Sequence, residues 1–308
     1  MFYKNWLLTW LNDYVRPVKK FRTYARYQSI VRLYLLPNLG NEQIEKLNHS
    51  QIQSFVSSLG ENSLTHKPLS ASTINSIISV IQLSLKSAMT ARIVKYNVAH
   101  DIVRPKVMQS KVLCFTLAEQ QKIENYCTTH KKHKLLGIIL SLYTGLRIGE
   151  LLALTKNDVD VKNGFLSVNH TCYDTPEGRV LDTPKTIASC RIIPLPQAVL
   201  NIVKKMIKVS DNEFLITDNG KPISVRSYQR TFELILKKLD IPHKGFHALR
   251  HTFATRALEC GMDVKTLSEL LGHRNPIITL NRYVHSLLEH KKAMMNRLYK
   301  SLNKKFTD

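Results

Sequence analysis

Acidic residues are scarce in this sequence. The 308 residues include 23 Asp and Glu against 45 Lys and Arg, which gives a formal net charge of +22. This balance excludes a neutral or acidic protein, and a field of this sign attracts polyanions such as nucleic acid. Residues 1–112 hold 15 of the basic and 5 of the acidic residues. Because the excess is spread over the chain, a single basic tail on a neutral body does not explain it.

Long apolar runs and paired cysteines are also missing. No stretch of about 18 apolar residues occurs, so no membrane span is expected. The apolar N-terminus is interrupted by Asn12 and Asp13 and lacks a small-residue cleavage site, so it does not resemble a signal peptide. The five cysteines are scattered without a C-x-x-C pair, which predicts reduced thiols in a cytosolic protein.

The first third of the chain, to about residue 103, has the periodicity of helices. Aromatic side chains recur four positions apart, which predicts one helical face: Phe2, Trp6, Trp10 and Tyr14. A second periodic stretch covers residues 19–35, and Pro37 is expected to end it. Ser72 or Thr73 is the expected N-cap of a third helix. The apolar stripe of that helix favours a buried core: Ile74, Ile77, Ile78, Ile81, Leu85 and Ala88.

The length predicts two domains, and residues 104–113 have the composition of a basic linker between them. Thr116 and Glu119 then form a capping-box pattern, so a second domain is expected from residue 114. This domain mixes helix and strand. A buried helix is expected to end at Gly145, and a short helix follows over 147–154. Strands of a small sheet are predicted over 164–171, 178–186 and 191–195.

Four short segments of the second domain, here called islands, carry reactive residue types. They are TGLRIGEL (144–151), TPKT (183–186), FHALRHTFATR (246–256) and LLGHRNPIITLNRYVH (270–285). Phosphodiester transfer needs guanidinium groups that donate two hydrogen bonds each to the negatively charged equatorial oxygens of the transition state. It also needs a nucleophile and an acid that protonates the leaving oxygen. The islands supply such groups without a metal or another cofactor: Arg147, Lys185, His247, Arg250, His273 and Tyr283.

The order and spacing of these islands resemble the catalytic motifs of the tyrosine recombinase (phage integrase) family. The His-x-x-Arg element falls on His247 and Arg250, and the Leu-Gly-His element gives His273. The tyrosine follows ten residues later at Tyr283. The first arginine and the hairpin lysine of the family fall on Arg147 and Lys185. The resemblance covers nearly the whole chain, because the linker and the helical first domain also match.

The resemblance implies how the DNA strand is cut. Tyr283 would attack the scissile phosphate and form a 3′-phosphotyrosyl bond. Lys185 would protonate the leaving 5′ oxygen, and His247 would assist the tyrosine as a base or hydrogen-bond partner. The covalent bond conserves the energy of the phosphodiester, so religation through a Holliday junction needs no ATP.

The resemblance also implies what holds the phosphate. Arg147, Arg250 and His273 would bind it and stabilise the transition state. Glu150 is three residues after Arg147 and can share its helix face, where its carboxylate would orient that arginine.

The implied fold is mainly α with a small antiparallel β-sheet. Residues 1–103 would form a helical, SAM-like core-binding domain and residues 114–308 the catalytic domain, together closing as a C-shaped clamp on DNA. Residues 287–308 would form a basic tail helix with an apolar stripe, which packs on its own domain or docks on a neighbouring protomer. Basic candidates for DNA contact are Lys19, Lys20, Arg22, Arg26, Arg104 and Lys106.

Taken singly, each candidate has an ordinary structural explanation. Arg147 and Glu150 form a common surface ion pair, and Tyr283 is one of twelve tyrosines. His247 and His251 have the i, i+4 spacing of a metal pair. However, position 248 is alanine where a zincin needs glutamate, and Arg250 would oppose a cation, so no metal is expected. Only the joint pattern points to catalysis.

The interpretation is therefore a metal- and ATP-independent, site-specific DNA strand transferase acting on double-stranded recombination sites. The compact build is similar to the Xer type, which resolves chromosome or plasmid dimers. The TPKT hairpin and the residues around His273 are more similar to integrases of mobile elements, and we favour that role. The alternatives are a basic DNA-binding protein without catalysis and a type IB topoisomerase.

The resemblance also implies the setting in which the protein acts. It would work in the cytoplasm, on the nucleoid of a prokaryote or on phage or mobile-element DNA. Its partners would be DNA and a homotetrameric synapse, and an accessory directionality factor remains open.

Overall fold

The computed structural model describes residues 1–61, 68–108, 112–130, 132–183, 189–210 and 212–273, and several single positions beyond them, namely 275, 277, 292, 294–296, 298, 299 and 302. The chain divides into two compact units, Met1–Ser110 and Lys111–Asp308. Each unit has its own hydrophobic core. The expected mainly helical fold with small antiparallel sheets is confirmed.

The first unit is helical throughout its described elements. These are α1 (Tyr3–Thr9), α2 (Phe21–Ile30), α3 (Leu36–Leu39), α4 (His49–Ser58) and α5 (Ala71–Thr90), with π-helical turns at Trp10–Val15 and Val31–Leu35. The long helix α5 lies in the core, and its six predicted apolar residues are all buried. The start of the chain is anchored to α5, because the Trp6 indole donates to the Ser84 carbonyl at 3.0 Å and the Tyr3 hydroxyl bonds Ser84 Oγ at 2.6 Å. The hydroxyl and indole N–H groups of these buried aromatic side chains thereby have hydrogen-bond partners.

The predicted aromatic face is wrong at Phe2, whereas the Tyr14 ring does lie against the Trp6 ring, with centroids 5.5 Å apart. Trp6 and Trp10 are buried, but Phe2 and Tyr14 are 45% and 43% exposed. Phe2 lies before the helix in extended backbone. From Trp10 the chain forms a π-helical turn, in which the backbone hydrogen bond joins residues five positions apart, so that these residues lie on the same face. Val15 therefore takes the buried place that a regular helix would give to Tyr14.

Two predicted helix boundaries are also wrong. Helical backbone continues past Pro37 to Leu39, because the proline lies in the first turn of α3, where its missing N–H interrupts little. The N-cap of α5 is Ser70 rather than Ser72 or Thr73. Its side chain accepts a hydrogen bond from the Thr73 backbone N–H.

The second unit combines helices and short strands. The helices are α6 (Leu117–Thr129), α7 (His133–Thr144), α8 (Ile148–Ala153), α9 (Gln197–Val209), α10 (Val225–Lys238), α11 (His247–Glu259) and α12 (Val264–Leu271). The strands are β1 (Val159–Asp160), β2 (Phe165–Val168), β3 (Thr171–Thr175), β4 (Gly178–Asp182), β5 (Arg191–Pro194), β6 (Thr217–Asp218) and β7 (Lys221–Pro222). The predicted capping box is confirmed, with Glu119 N donating to Thr116 Oγ1 at 3.2 Å and Thr116 N donating to Glu119 at 2.7 Å.

The strands form separate small sheets instead of the one predicted. Strand β2 lies between β1 and β5, and all neighbours are antiparallel. Strands β3 and β4 form their own hairpin. The predicted strand over 164–171 is therefore two strands, because the chain leaves one sheet after Val168 and enters the other at Thr171.

Helix α7 sets the position of the chain that leads to Arg147. It ends at Gly145, as predicted, with φ of +65°, a conformation that side chains with a Cβ disfavour. A Cβ at this glycine would also lie 2.6 Å from Phe253 Cδ1 in α11. The glycine therefore allows α7 and α11 to approach closely before α8 begins.

Most of the tail helix proposed over residues 287–308, including its start at 287–291, falls outside the described residues. The described apolar residues of the tail are exposed: Met294 36%, Met295 65%, Leu298 51% and Leu302 59%. No helix within the described ranges combines the length and apolarity that a membrane crossing demands.

Candidate active site

Three arginines meet at the C-terminal end of α12. The last carbonyl groups of a helix have no partner within it and carry partial negative charge, so they suit cationic donors. Here three consecutive carbonyls each accept from a different arginine: Leu270 O from Arg191 Nε at 2.6 Å, Leu271 O from Arg250 Nη2 at 2.6 Å, and Gly272 O from Arg147 Nη2 at a longer 3.5 Å. This helix end therefore gathers side chains that lie more than a hundred residues apart in sequence.

Arg250 is the most enclosed of the three, with only 1% of the residue exposed. Its Nη1 donates to the Gly145 carbonyl at 2.8 Å, and its Nη2 also lies 2.8 Å from His273 Nε2. A buried guanidinium is tolerated only where such acceptors replace water. The structure thus brings together Arg250 and His273, two residues that the sequence placed in one site.

Arg147 lies just before α8, with its side chain 36% exposed. Its Nη1 donates to Glu150 Oε1 at 2.6 Å, and its backbone N–H donates to Glu150 Oε2 at 3.0 Å. The predicted contact between Arg147 and Glu150 is therefore present. One carboxylate fixes both the backbone and the guanidinium of this arginine.

Glu150 itself is buried, with a side chain 5% exposed. Burial would raise the pKa of its carboxyl group, but the hydrogen bond from Arg191 and the charges of Arg191 and Arg147 outweigh burial and lower the pKa to about 2. The group is consequently an anion at any pH at which the protein would work.

Arg191 is the site residue that sequence reasoning missed. It begins β5, its side chain is 6% exposed, and its Nη2 donates to Glu150 Oε2 at 2.8 Å. A signal was present, since strand alternation places Arg191 on the same face as the buried Ile193. Two isoleucines, Ile192 and Ile193, left the inward face ambiguous in the sequence.

The two histidines of α11 differ in exposure. His247 is exposed, whereas His251 is 7% exposed, and their rings meet edge to face with centroids 4.6 Å apart. Within the described ranges no three His, Cys, Asp or Glu side chains converge as metal ligands. His247 thus has an accessible ring at the start of the helix that also carries Arg250.

Two of the six predicted catalytic residues, Lys185 and Tyr283, lie outside the described residues. Thr183 is described before the segment 184–188, and Ser189 after it. For Tyr283 the nearest described positions in the preceding chain are 275 and 277. The structure therefore describes the four other residues, of which Arg147, Arg250 and His273 are predicted to hold the phosphate.

The six basic residues proposed for DNA contact are all exposed and belong to the first unit. Arg104 and Arg26 form hydrogen bonds with side chains and backbone of the same unit. Arg104 donates to Gln82 Oε1 at 2.6 Å and to the Asn75 carbonyl at 3.1 Å, and Arg26 donates to Ser76 Oγ. These bonds fix the two guanidinium groups on α5, and they give both arginines a structural role whether or not DNA is bound.

The sequence matches two family models. Residues 114–290, more than half of the chain, match the model described as "Phage integrase family". Residues 2–60 match the model described as "Phage integrase, N-terminal SAM-like domain". The two matches fall in the second and the first unit of the fold, respectively.

Curated relatives match along most of the chain. The sequence is 29% identical over 314 residues to a "Tyrosine recombinase XerC-like" protein of Caldanaerobacter subterraneus subsp. tengcongensis, covering 92% of this chain and 79% of that protein. It is 26% identical over 316 residues to the "Transposase from transposon Tn916" of Enterococcus faecalis, covering 92% and 75%. Both alignments therefore extend over the two units of this chain and over at least three quarters of each relative.

A solved structure has a similar fold over nearly the whole chain. It is the Tn1549 transposon integrase (residues 82–397) in complex with a circular intermediate DNA. The TM-score is 0.80 at 25% identity, with 97% of this chain and 99% of that chain covered. The arrangement of helices and strands described above thus occurs in a protein captured on DNA.

Proposed function

This chain belongs to the phage integrase family, and from that premise we propose that it cleaves and rejoins DNA at specific sites through a covalent bond to Tyr283. Cleavage and rejoining of DNA strands is the activity of the tyrosine recombinases in this family. The observation that carries the proposal for this chain is the meeting of Arg147, Arg250 and His273 at the end of α12.

The chemistry follows from the charge of the transition state. A phosphodiester under attack gains negative charge on its equatorial oxygens, and guanidinium groups stabilise that charge best when they are fixed beforehand. Arg250 is fixed by backbone carbonyls and Arg147 by a carboxylate. His273, bonded to Arg250, adds a third group at the same place.

Tyr283 then supplies the nucleophile. Its phenol oxygen bonds to phosphorus as the 5′ oxygen leaves, and the leaving oxygen takes a proton from Lys185. His247 accepts or shares the proton of the phenol. The reverse reaction, with a 5′ hydroxyl from another strand, restores the phosphodiester and frees Tyr283. Exchange of both strands proceeds through a Holliday junction and involves one protomer for each of the four strand ends, hence a tetramer.

We favour integration and excision of a mobile element as the biological role. The similarity to the Tn916 transposase and to the Tn1549 integrase supports this choice. The 29% identity to a XerC-like recombinase supports dimer resolution as the second candidate. In either role the basic surface of the first unit, including Lys19, Lys20, Arg22 and Lys106, would contact the phosphate backbone, with Arg26 and Arg104 held beside it on α5.

Covalent trapping tests the mechanism. The full-length protein is incubated with nicked duplexes tiled across the DNA that flanks its coding sequence, and adducts are resolved on denaturing gels. We expect an adduct with the wild type and none with Tyr283→Phe, although that variant still binds the duplex. The matched control is Tyr299→Phe, because Tyr299 follows Tyr283 by 16 positions in the sequence and is 68% exposed. An adduct that persists in Tyr283→Phe would overturn the assignment.

The same flanking DNA separates the two roles. Plasmids that carry both ends of the flanking DNA in direct repeat are incubated with the protein, with and without host extract. Release of a circle that contains the gene supports excision of an element. Conversion of plasmid dimers to monomers at a single site supports dimer resolution. Excision that requires the extract would show the need for an accessory factor.

A further inference from the structure

Arg191 occupies a buried position that the proposed chemistry does not use. Its guanidinium has three separate partners: Glu150 Oε2 at 2.8 Å, the Leu270 carbonyl at 2.6 Å and the Ser189 carbonyl at 3.1 Å. These partners belong to α8, α12 and the chain just before β5. One side chain thus joins three elements around the candidate site.

The carboxylate of Glu150 is shared between two arginines in a fixed way. Oε1 faces the Arg147 guanidinium, and Oε2 accepts from both the Arg147 backbone N–H and Arg191 Nη2. A carboxylate with only one partner can rotate about its terminal bond. With Arg191 in place, the orientation that points Oε1 at Arg147 is the one that satisfies all three donors.

We propose that Arg191 is a positioning residue for strand transfer, which holds Glu150 in the orientation that fixes Arg147 and fastens the start of β5 to the end of α12. This inference rests on the proposed function. It assigns Arg191 no contact with DNA, since its side chain is only 6% exposed.

Chain connectivity gives the proposal a second consequence. Ser189 and Arg191 follow the segment 184–188, which contains Lys185. By binding the Ser189 carbonyl and the Leu270 carbonyl together, Arg191 links Ser189, the first described residue after that segment, to α12, two residues before the carbonyl that faces Arg147. The same side chain is therefore expected to influence the general acid as well as the phosphate-binding arginine.

Electrostatics supports the geometry. Among the described residues, the charges that most lower the pKa of Glu150 are those of Arg191, from β5, and Arg147, at the start of its own helix. Burial acts in the opposite direction and raises the pKa of Glu150. Without Arg191, one of the two arginines that lower the pKa of Glu150 is lost, so this pKa would be higher than in the wild type and the hold of Glu150 on Arg147 would weaken in acid.

The test compares Arg191→Gln and Arg191→Lys with the wild type in the full-length protein. The matched control is Arg256→Gln, because Arg256 likewise bonds one carboxylate, Glu259, and one backbone carbonyl, that of Phe115. Three quantities are measured: duplex binding by gel shift, the midpoint of thermal unfolding, and the single-turnover rate of adduct formation between pH 5 and 8.

We expect Arg191→Gln to bind duplex like the wild type and to form adduct about 10- to 100-fold more slowly, the usual loss when a group that orients a functional side chain is removed. The rate of Arg191→Gln relative to that of the wild type should fall further toward pH 5. The double variant Arg191→Gln, Glu150→Gln should lose that additional fall. Arg191→Lys, which keeps the charge but not the planar fork, should recover part of the rate. Arg256→Gln should lower the unfolding midpoint without changing the rate of the folded fraction.

Two results would overturn the inference. Adduct formation by Arg191→Gln and Arg191→Lys at the wild-type rate would show that Arg191 does not position the site. A slower rate without the acid-side fall, or with a fall that the double variant retains, would show that Arg191 acts only through stability. If the wild type forms no adduct on any duplex, the proposed function fails first, and that result is distinct from both.

Discussion

Two arginines of the candidate site, Arg250 and Arg147, are held by partners of different kinds. Arg250 lies within α11 and donates to the carbonyls of Gly145 and Leu271, whereas Arg147 precedes α8 and pairs with the carboxylate of Glu150. Backbone carbonyls are neutral and cannot be protonated in water. Two of the described acceptors of Arg250 therefore do not change with pH, although Arg250 also contacts His273. The position of Arg147, by contrast, depends on an ion pair that pH and single substitutions can change.

Replacing each arginine with lysine should separate the two cases most strongly. A lysine at position 250 keeps one charge but cannot serve Gly145, Leu271 and His273 at once. We expect Arg250→Lys to slow adduct formation on the order of 10³-fold and Arg147→Lys about 10²-fold. Arg250→Lys should also lower the unfolding free energy by about 1–3 kcal/mol, because a buried carbonyl loses its donor.

Single-turnover trapping and thermal unfolding of both variants provide the measurement. Equal rate losses, with the unfolding midpoint of Arg250→Lys unchanged, would contradict the idea that backbone carbonyls hold Arg250 in place. Tyr299→Phe again serves as the variant that should change neither quantity.

Glu150→Gln should affect Arg147 in a pH-dependent way. The folded pKa of Glu150, about 2, lies below its ordinary value of 4.5. Its charge therefore stabilises the fold fully above about pH 4.5, and this contribution disappears as the pH falls toward 2. We expect the wild type to exceed Glu150→Gln in unfolding free energy by on the order of 3 kcal/mol at pH 7, and by little at pH 2.

Denaturant unfolding of both proteins at pH 7, 4, 3 and 2 gives this difference directly. A gap that stays constant across the series would mean that Glu150 contributes by packing and not by charge. Adduct formation at pH 7 should fall about 10-fold in Glu150→Gln, a smaller loss than in Arg147→Lys because the amide oxygen still accepts one hydrogen bond.

Gly272→Ala should produce the smallest effect. Gly272 ends α12 with φ of +62°, and its carbonyl lies 3.5 Å from Arg147 Nη2. A Cβ in this conformation costs roughly 1 kcal/mol. Gly220→Ala is the matched control, since Gly220 has φ of +73° and open space around it. Both variants should unfold at slightly lower temperature, and only Gly272→Ala should slow adduct formation. Equal rates in the two would remove Gly272 from the site.

Much of the second unit could be predicted from the sequence, because its signals are local. The capping box at Thr116, the helix end at Gly145 and the proximity of Glu150 to Arg147 all depend on residues within a few positions of each other. The joint pattern also predicted that Arg147 and Arg250 belong to one site. Their roles in catalysis, and those of Lys185 and Tyr283, remain predictions for the experiments above.

What could not be predicted depends on register and on distant contacts. The π-helical turn after Trp10 moves one residue out of the regular helical period, and nothing in the local sequence marks it. The contact of Arg191 with Leu270 joins residues 79 positions apart. Arg191 could be recognised only once the strand that follows the 184–188 segment had been placed against α12.

The three arginines at the end of α12 donate hydrogen bonds to backbone carbonyls of the helix and not to its side chains. Substitutions along the exposed face of this helix therefore leave the acceptors in place. The amino-acid sequence of this helix can change as long as its length stays the same. Insertion or deletion of one residue, by contrast, turns the helix end by about 100° and carries Leu270, Leu271 and Gly272 away from their donors together. Related chains with the same arginines should differ here by exchange of residues and not by gaps.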